Sequence, residues 1–383
     1  MTSMFRRSCA AARGLGIEPL SHCKLAVPFK GVSVLNDPMA QGINDSMDQS
    51  VRAAYAECRR LARRHYENFP VASYLVPRAK RDALAAIYAF ARCADDFADE
   101  PGVERRLEAL ADWRQRLHKC YRGDSPGLSA LPGRSGDFRA EGPVKGPTEG
   151  PVEGKDGLRP FSPDAVSIAL GDAVRGFGLS EAHFENLLRA FELDVRINRH
   201  RDFASLLAYC ACSANPVGRL VLELFGHREE ELFALSDSIC TALQLANFWQ
   251  DVAVDLDRDR IYLPMEDLAR CKITPAEVEA MKLSSGRSWP GGVRSLAADD
   301  RWRRLMAFEV QRTRELFERG KPLPERVAPE LRHQLRLTWL GGMTILEKIE
   351  AVRYDVFLNR PKLTRMDFLR LYLRARRGAS LGV

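Results

Sequence analysis

The chain of 383 residues is short of the patterns that announce a disulfide scaffold, a nucleotide fold or a membrane span. Its nine cysteines are odd in number and include no CxxC pair; the closest two are Cys210 and Cys212. That scatter argues against a zinc site or a disulfide framework and fits a reducing, cytoplasmic setting. No uninterrupted apolar run approaches the ~18–20 residues that a spanning helix needs. Arg6, Arg7 and Arg13 lie among small residues near the start, without the apolar stretch and cleavage site of a signal peptide. Sustained period-two alternation is missing, and so is any strand–glycine loop–helix pattern. Aromatic residues, 8% of the chain, are not interleaved with a basic stripe, and no zinc-finger or RNP-like motif occurs. Nucleic acid is therefore set aside as a partner. The net charge of +7 leaves an acidic membrane surface or a polyanionic small substrate as its natural counterpart.

What is present is helical periodicity. From Val51 to Tyr121, apolar residues such as Leu84, Ile87, Tyr88 and Ala91 recur at three-to-four spacing. Helices are expected at Asp164–Gly178, Ser180–Asn198 with Ser180 as N-cap, Phe203–Phe225 and Glu229–Asp255. Leu296–Gly320, one or two helices in Pro324–Asn359, and Arg365–Arg377 complete the set. Between residues 123 and 163, glycine, proline, serine and charge dominate, with GPVKGPTEGPVEG an imperfect repeat. Such a segment cannot bury a core and reads as a disordered insertion. Leu283–Ala298 reads as a shorter exposed loop. The expectation is an all-α domain over residues 50–378, preceded by a poorly ordered extension at 1–49.

Two acidic motifs stand out, Asp95-Asp96-Phe97-Ala98-Asp99 and Asp251-Val252-Ala253-Val254-Asp255. Residues four apart on a helix stack one above the other, and like charges so placed oppose the helix unless a cation sits between them. Oxygen-only ligands favour a hard divalent cation, usually Mg2+, shared with substrate phosphates. Tyr88, Arg92, Asp95 and Asp99 fall at i, i+4, i+7 and i+11, so an arginine able to clamp phosphate precedes the acids by one turn. The competing structural reading is a solvated face in which Arg92 merely pairs with Asp95 or Asp96. Around the second motif, Gln244, Asn247, Asp251 and Asp255 continue one stripe, and the apolar neighbours Leu243, Leu245, Ala246, Phe248 and Trp249 argue against full exposure. Ala214-Asn215-Pro216-Val217-Gly218 inside a helical stretch predicts a break or kink, because proline removes a helical hydrogen bond. Ahead of Pro70 a helix should end, leaving Asn68 and Ser73 at a boundary where free N–H groups can meet phosphate. His65 in the same segment reads as a hydrogen-bonded structural residue rather than a base.

HYENFPVAS, IYAFARCADDFADE, YCACSANPVG and QLANFWQDVAVDLDRDRIYLP occur in the order used by the squalene/phytoene synthase family. ILEKIEAVRYDVFLNRPKL is similar to that family's C-terminal helix, and the resemblance spans Ser50 to Arg377 apart from the insertion. It implies the isoprenoid synthase fold, a single helical domain around a central cavity, and Mg2+-dependent ionisation of an allylic or cyclopropylcarbinyl diphosphate. NFPVAS, SANPVG and NFWQD most resemble the hydroxysqualene-forming branch of the hopanoid route. Other members more often carry VAG before the VG and an arginine immediately before the second acidic motif; Asn215-Pro216 and Gln250 stand there instead. One cation fewer would suit a single C30 diphosphate better than two C15 ones. His200 stands where a tyrosine is common.

On this resemblance the expected substrate is presqualene diphosphate, and the products are hydroxysqualene and diphosphate. Asp95, Asp96, Asp99, Asn247, Asp251 and Asp255 are the expected Mg2+ ligands, with Arg92 and Gln244 facing the substrate. Asn68, Arg258, Arg260 and Tyr354 are further candidates for diphosphate contact. Phe69, Phe90 and Phe248 are candidates to shield the cation, and Tyr209 and Asn215 to position the quenching water. Functional coupling to a presqualene diphosphate synthase and a squalene-forming reductase is implied, as is peripheral contact with a membrane. Two alternatives stay open: an enzyme of the same fold joining two prenyl diphosphates head-to-head, and a non-catalytic assembly factor of that fold. Survival of both acidic motifs speaks against the second.

Overall fold

The computed structural model describes residues 49–64, 76–99, 105–123, 162–284 and 300–376. The expected N-terminal extension, all but the ends of the 123–163 insertion, and most of the Leu283–Ala298 loop lie outside them. The elements are α1 (Gln49–Arg64), α2 (Arg78–Asp99), α3 (Arg106–Arg122), α4 (Pro163–Phe177), α5 (Glu181–Arg196), α6 (Phe203–Ser213), α7 (Asn215–Leu224), α8 (Glu230–Gln250), α9 (Val252–Asp255), α10 (Met265–Arg270), α11 (Pro275–Ser284), α12 (Asp300–Gly320), α13 (Leu323–Arg326), α14 (Pro329–Ala351) and α15 (Arg365–Arg376). Among the described residues the sheet-like pairing is an isolated parallel bridge between Arg199 and Ile261, and the all-α expectation holds. No described helix is long and apolar enough to cross a membrane.

Two helices organise the rest. α2 packs against α1, α3, α4 and α5, and α8 packs against α6, α7, α12 and α14. α7 touches both α2 and α8 and links the two groups. α8 buries residues on every side, including Leu232, Ile239, Ala242, Leu245, Phe248 and Trp249, as a helix does when it runs through a core. Trp249 donates from Nε1 to Thr313 Oγ1 at 2.8 Å, so even its polar edge is satisfied by α12.

Local chemistry explains most boundaries. Ser162 caps α4 through Ala165 N, and Gly178 closes it in the left-handed region at φ 62°. Asp202 and Ser205 form a reciprocal capping box at the start of α6. Ser180 occupies the N-cap of α5, but its side chain makes no capping bond; its backbone N–H instead donates to Glu223 Oε2 at 2.9 Å. The helical stretch Phe203–Phe225 is two helices, and the expected break falls where Ala214 leaves regular geometry and α7 begins at Asn215. Pro216 then lies in a first turn, where no intrahelical N–H is needed.

Candidate active site

In the first acidic motif Arg92 pairs with Asp95 and Asp96 as the competing reading expects, but Asp95 is buried and Asp96 half-buried, so the pairing is not on a solvated face. Arg92 and Asp95 are both buried in α2. The Arg92 guanidinium spans two carboxylates, donating from Nη1 to Asp95 Oδ2 at 3.3 Å and from Nη2 to Asp96 Oδ1 at 2.6 Å. Burial works against the Arg92 charge, but Asp96 and Asp95 outweigh it and hold the guanidinium above its ordinary value. Burial pushes the half-buried Tyr88 phenol up, so it stays a hydrogen-bond donor on the same face. Asp99 lies in the last turn of α2. Asn68, His65 and Phe69 fall outside the described residues. An ion network sunk this deep is a poor stability device and a common mark of a functional site.

The second motif keeps its stripe through a helix break. α8 ends at Gln250 because Asp251 adopts φ −111°, ψ 14°. The backbone ladder nevertheless continues, with Asp251 N donating to Asn247 O at 3.0 Å and Asp255 N to Asp251 O at 2.9 Å. Asn247, Asp251 and Asp255 therefore remain on successive turns, and all three are buried together with Gln244. Gln244 Nε2 has no hydrogen-bond partner among the described residues, an amide donor held out of water. Beyond Asp255, the left-handed Asp259 (φ 55°) turns the chain back, gripped by Asn198 Nδ2 at 2.7 Å and Arg199 Nη2 at 2.6 Å. That turn leaves Arg258 half-buried and sends Arg260 inward, where Nη2 donates to Asp194 O at 3.3 Å. Arg260, expected at the diphosphate, thus also ties the turn to α5.

The other expected residues divide. Phe248 stacks on Tyr262 at 3.8 Å, and Tyr209 and His200 complete a buried cluster of rings beside the second motif. Burial pushes His200 down to about 4, so it stays neutral, and it fills this aromatic position by shape. Phe90 is a correction: two residues before Arg92, it points to the other side of α2, stacked on Trp113 and edge-on to Phe184. Asn215 Oδ1 accepts from Thr241 Oγ1 at 2.9 Å, so this side chain docks α7 onto α8. Tyr354 is half-buried in the left-handed turn after α14 (φ 64°), and its carbonyl accepts from Trp302 Nε1 at 2.9 Å.

Sequence reasoning missed Arg360. Its Nε donates to Asp251 Oδ1, and next to that contact Gln250 Nε2 donates to Pro361 O at 2.5 Å. The glutamine at position 250 thus tethers the segment that delivers an arginine, so a cation stands beside Asp251 although position 250 itself carries none. The Arg-Pro-Lys run after Asn359 was the one visible signal; its partner lies 109 positions away.

Among the described residues no three carboxylate, histidine or cysteine side chains close on one point as a ready-made metal nest. Each stripe instead offers its own oxygen donors, Asp95 and Asp96 on α2 and Asn247, Asp251 and Asp255 beyond it. Few protein carboxylates per ion is the donor set that suits Mg2+, which keeps waters and substrate phosphates in its shell. Two surface clefts, of about 410 Å³ and 390 Å³, include no aspartate of either motif.

The Squalene/phytoene synthase family profile matches residues 62–367. A phytoene synthase from Arthrospira platensis is 28% identical over 321 residues, covering 80% of this chain and 87% of the relative. A hydroxysqualene synthase from Zymomonas mobilis is 33% identical over 204 residues, 52% of this chain and 55% of the relative. The crystal structure of squalene synthase HpnC from Alicyclobacillus acidocaldarius superposes with a TM-score of 0.63 at 33% identity, covering 81% of this chain and 98% of that one.

Proposed function

Because the chain belongs to the squalene/phytoene synthase family and has its all-helical isoprenoid synthase fold, we propose that it ionises a prenyl diphosphate in head-to-head isoprenoid synthesis. The observation that carries this reading is the pair of buried acidic stripes, each with an arginine on its carboxylates: Arg92 on Asp95 and Asp96, and Arg360 on Asp251. Asp95, Asp96, Asp99, Asn247, Asp251 and Asp255 would hold Mg2+. When bound, Mg2+ supplies Lewis-acid stabilisation of the departing diphosphate. Arg92, Arg258 and Arg360 hold and orient the diphosphate oxygens, and the Gln244 amide adds a donor beside Asn247. The ring cluster of Tyr209, Phe248 and Tyr262 excludes water and presents π faces to an allylic cation.

The second stage has two candidate outcomes. Joining of two prenyl diphosphates is favoured by breadth of match, since the phytoene synthase aligns over far more of this chain than the hydroxysqualene synthase does. Water capture of a presqualene cation to give hydroxysqualene is favoured by the higher identity of the shorter match. Incubation with farnesyl, geranylgeranyl or presqualene diphosphate and Mg2+, with and without NADPH, separates them by mass spectrometry. Presqualene diphosphate, squalene or phytoene from two smaller diphosphates supports joining; hydroxysqualene from presqualene diphosphate without NADPH supports water capture. Release of no diphosphate from any of the three would sink both and leave the non-catalytic alternative.

A further inference from the structure

Two buried polar side chains beside the ring cluster are answered by nothing in the described protein. Ser213, at the end of α6, is 2% exposed, and Gln244, on α8, is 1% exposed. Neither Ser213 Oγ nor Gln244 Nε2 has a hydrogen-bond partner among the described residues. Keeping such groups dry costs stability, so a pair of them calls for a ligand with oxygen lone pairs. Three contacts fix where the pair lies. The Tyr209 and Phe248 rings stand 6.3 Å apart, Asn215 Oδ1 accepts from Thr241 Oγ1 at 2.9 Å, and Gly218 lies close on Ser236 and Cys240. From Tyr209 to Gly218 the chain therefore runs antiparallel to α8. Ser213 comes four residues after Tyr209 and two before Asn215; Gln244 comes four before Phe248 and three after Thr241. Each is one turn from a residue that makes a bracketing contact, and so shares that residue's face. The two side chains meet at one level between α6 and α8, without bonding each other.

We propose that Ser213 and Gln244 hold one water molecule at this level, and that this water is the nucleophile that quenches the cation as an alcohol. The inference rests on the water-capture reading above and names the residues that position its nucleophile. A buried water needs roughly two to four polar partners. Ser213 supplies a hydroxyl that both donates and accepts, and the Gln244 amide carries two N–H bonds, one for the diphosphate side and one for the water. A neutral ligand suits the place better than a diphosphate oxygen. Residues 209–215 and 241–248 include no charged side chain. Arg360 sits on Asp251, seven residues and about 10 Å of helical rise beyond Gln244. Tyr209 and Phe248, whose rings face the cation in this reading, are each one turn away, so water and cation share one stretch of wall. Asn215, the residue that the sequence suggests for this task, has its side-chain oxygen engaged by Thr241. In the step itself a water lone pair forms the new C–O bond and fills the cation's empty orbital. The water's proton leaves with the diphosphate, so diphosphate ester and water become alcohol and hydrogen diphosphate, with no oxidant or reductant.

The test is turnover of presqualene diphosphate with Mg2+ in oxygen-18 water by the full chain, its Ser213→Ala variant and its Ser213→Thr variant. The wild type should give an alcohol that carries the label and diphosphate that does not. Capture follows ionisation, so in Ser213→Ala the loss should fall on product identity: the alcohol's share drops roughly three- to tenfold in favour of elimination hydrocarbons, while diphosphate release falls far less. Ser213→Thr, which keeps a hydroxyl, should recover more of that share than alanine does. A merely structural role for Ser213 would lower the melting midpoint and diphosphate release together and leave the product ratio alone, which overturns the assignment. A crystal structure of the wild type should show one ordered water within ~3.2 Å of both Ser213 Oγ and Gln244 Nε2, and a dry gap there overturns it without reference to turnover. So does label in the diphosphate and not in the alcohol, since water would then attack phosphorus. In each of these cases alcohol from the wild type leaves the water-capture reading standing unless the label lies in the diphosphate. A wild type that forms no alcohol from presqualene diphosphate removes that reading, and this inference with it.

Discussion

Glu309 on α12 shows how one side chain can set a pH dependence. It is fully buried, and its Oε2 accepts from Arg312 Nε at 2.7 Å, while Arg312 Nη2 also serves Asp267 at 2.7 Å. Arg270 Nη1 also reaches Asp267 at 2.9 Å, whereas Glu309 leans on the Arg312 guanidinium that it shares with Asp267. Burial above all pushes the Glu309 carboxyl up to about 8, with Asp267 adding to the effect and Arg312 opposing it. The folded chain thus keeps a proton on Glu309 that the unfolded chain releases near the ordinary value of 4.5. Between those two values the folded state binds more protons, so this group's contribution is fully present at low pH and is lost as pH rises to about 8. Glu309→Gln carries no ionisable group. Its melting temperature relative to wild type should climb steadily from about pH 5 to about pH 8, whatever fixed offset the amide introduces. Parallel curves for the two proteins would mean that Glu309 is ionised throughout. Arg360 is the residue-scale counterpart at the candidate site. Nothing within a turn of it in the sequence suggests Asp251 as its partner, and only the return of the chain after α14 brings them together.

At the scale of elements, the α6–α7 break is held by close packing as much as by proline. Pro216 made a discontinuity legible, since its ring and missing N–H exclude an unbroken helix. The seating of α7 beyond the break depends on Gly218: a Cβ there would stand 2.4 Å from Ser236 Oγ and 2.5 Å from Cys240 Sγ, both on α8. The glycine lets α7 lie close on α8, which fixes Asn215 against Thr241 and so places the start of α7 beside the second acidic stripe. Gly218→Ala should lower stability by roughly 1–3 kcal/mol, read as a lower melting midpoint, because the two helices must separate or the facing side chains must turn. An unchanged midpoint would show that Ser236 and Cys240 rotate aside without cost. Long helices such as α8 and α14 were readable from periodicity, whereas the short α10 and α11 carry too few residues to show a period. Phe90 was misjudged for a related reason, since closeness in sequence to Arg92 says nothing of which helix face a ring takes.

Over the whole molecule, the proposed reaction draws on two acidic stripes far apart in sequence, one on α2 and one running from α8 through α9. The all-α fold and both acidic stripes were legible because each is periodic over a few turns. Their spatial relation was not, since it depends on how α7 bridges α2 and α8 and on a segment folding back after α14. Each stripe presents only a partial ligand set, so neither should suffice to ionise a diphosphate. If both hold the same leaving group, losing either should disable the same step. Asp95→Asn and Asp251→Asn should each lower diphosphate release by about 10³-fold or more, yet the double variant should fall little below the worse single one. Circular dichroism and melting curves should show the helical fold in all three, which ties the loss to the step rather than to unfolding. Losses that multiply in full would mean that the stripes act on separate steps or separate substrates. A joining enzyme offers a specific reason for that outcome, because two diphosphates leave in succession. The double-mutant cycle should therefore be run on release of the first diphosphate alone, in a single turnover. Shared use of both stripes predicts strong coupling there, and division of labour predicts none.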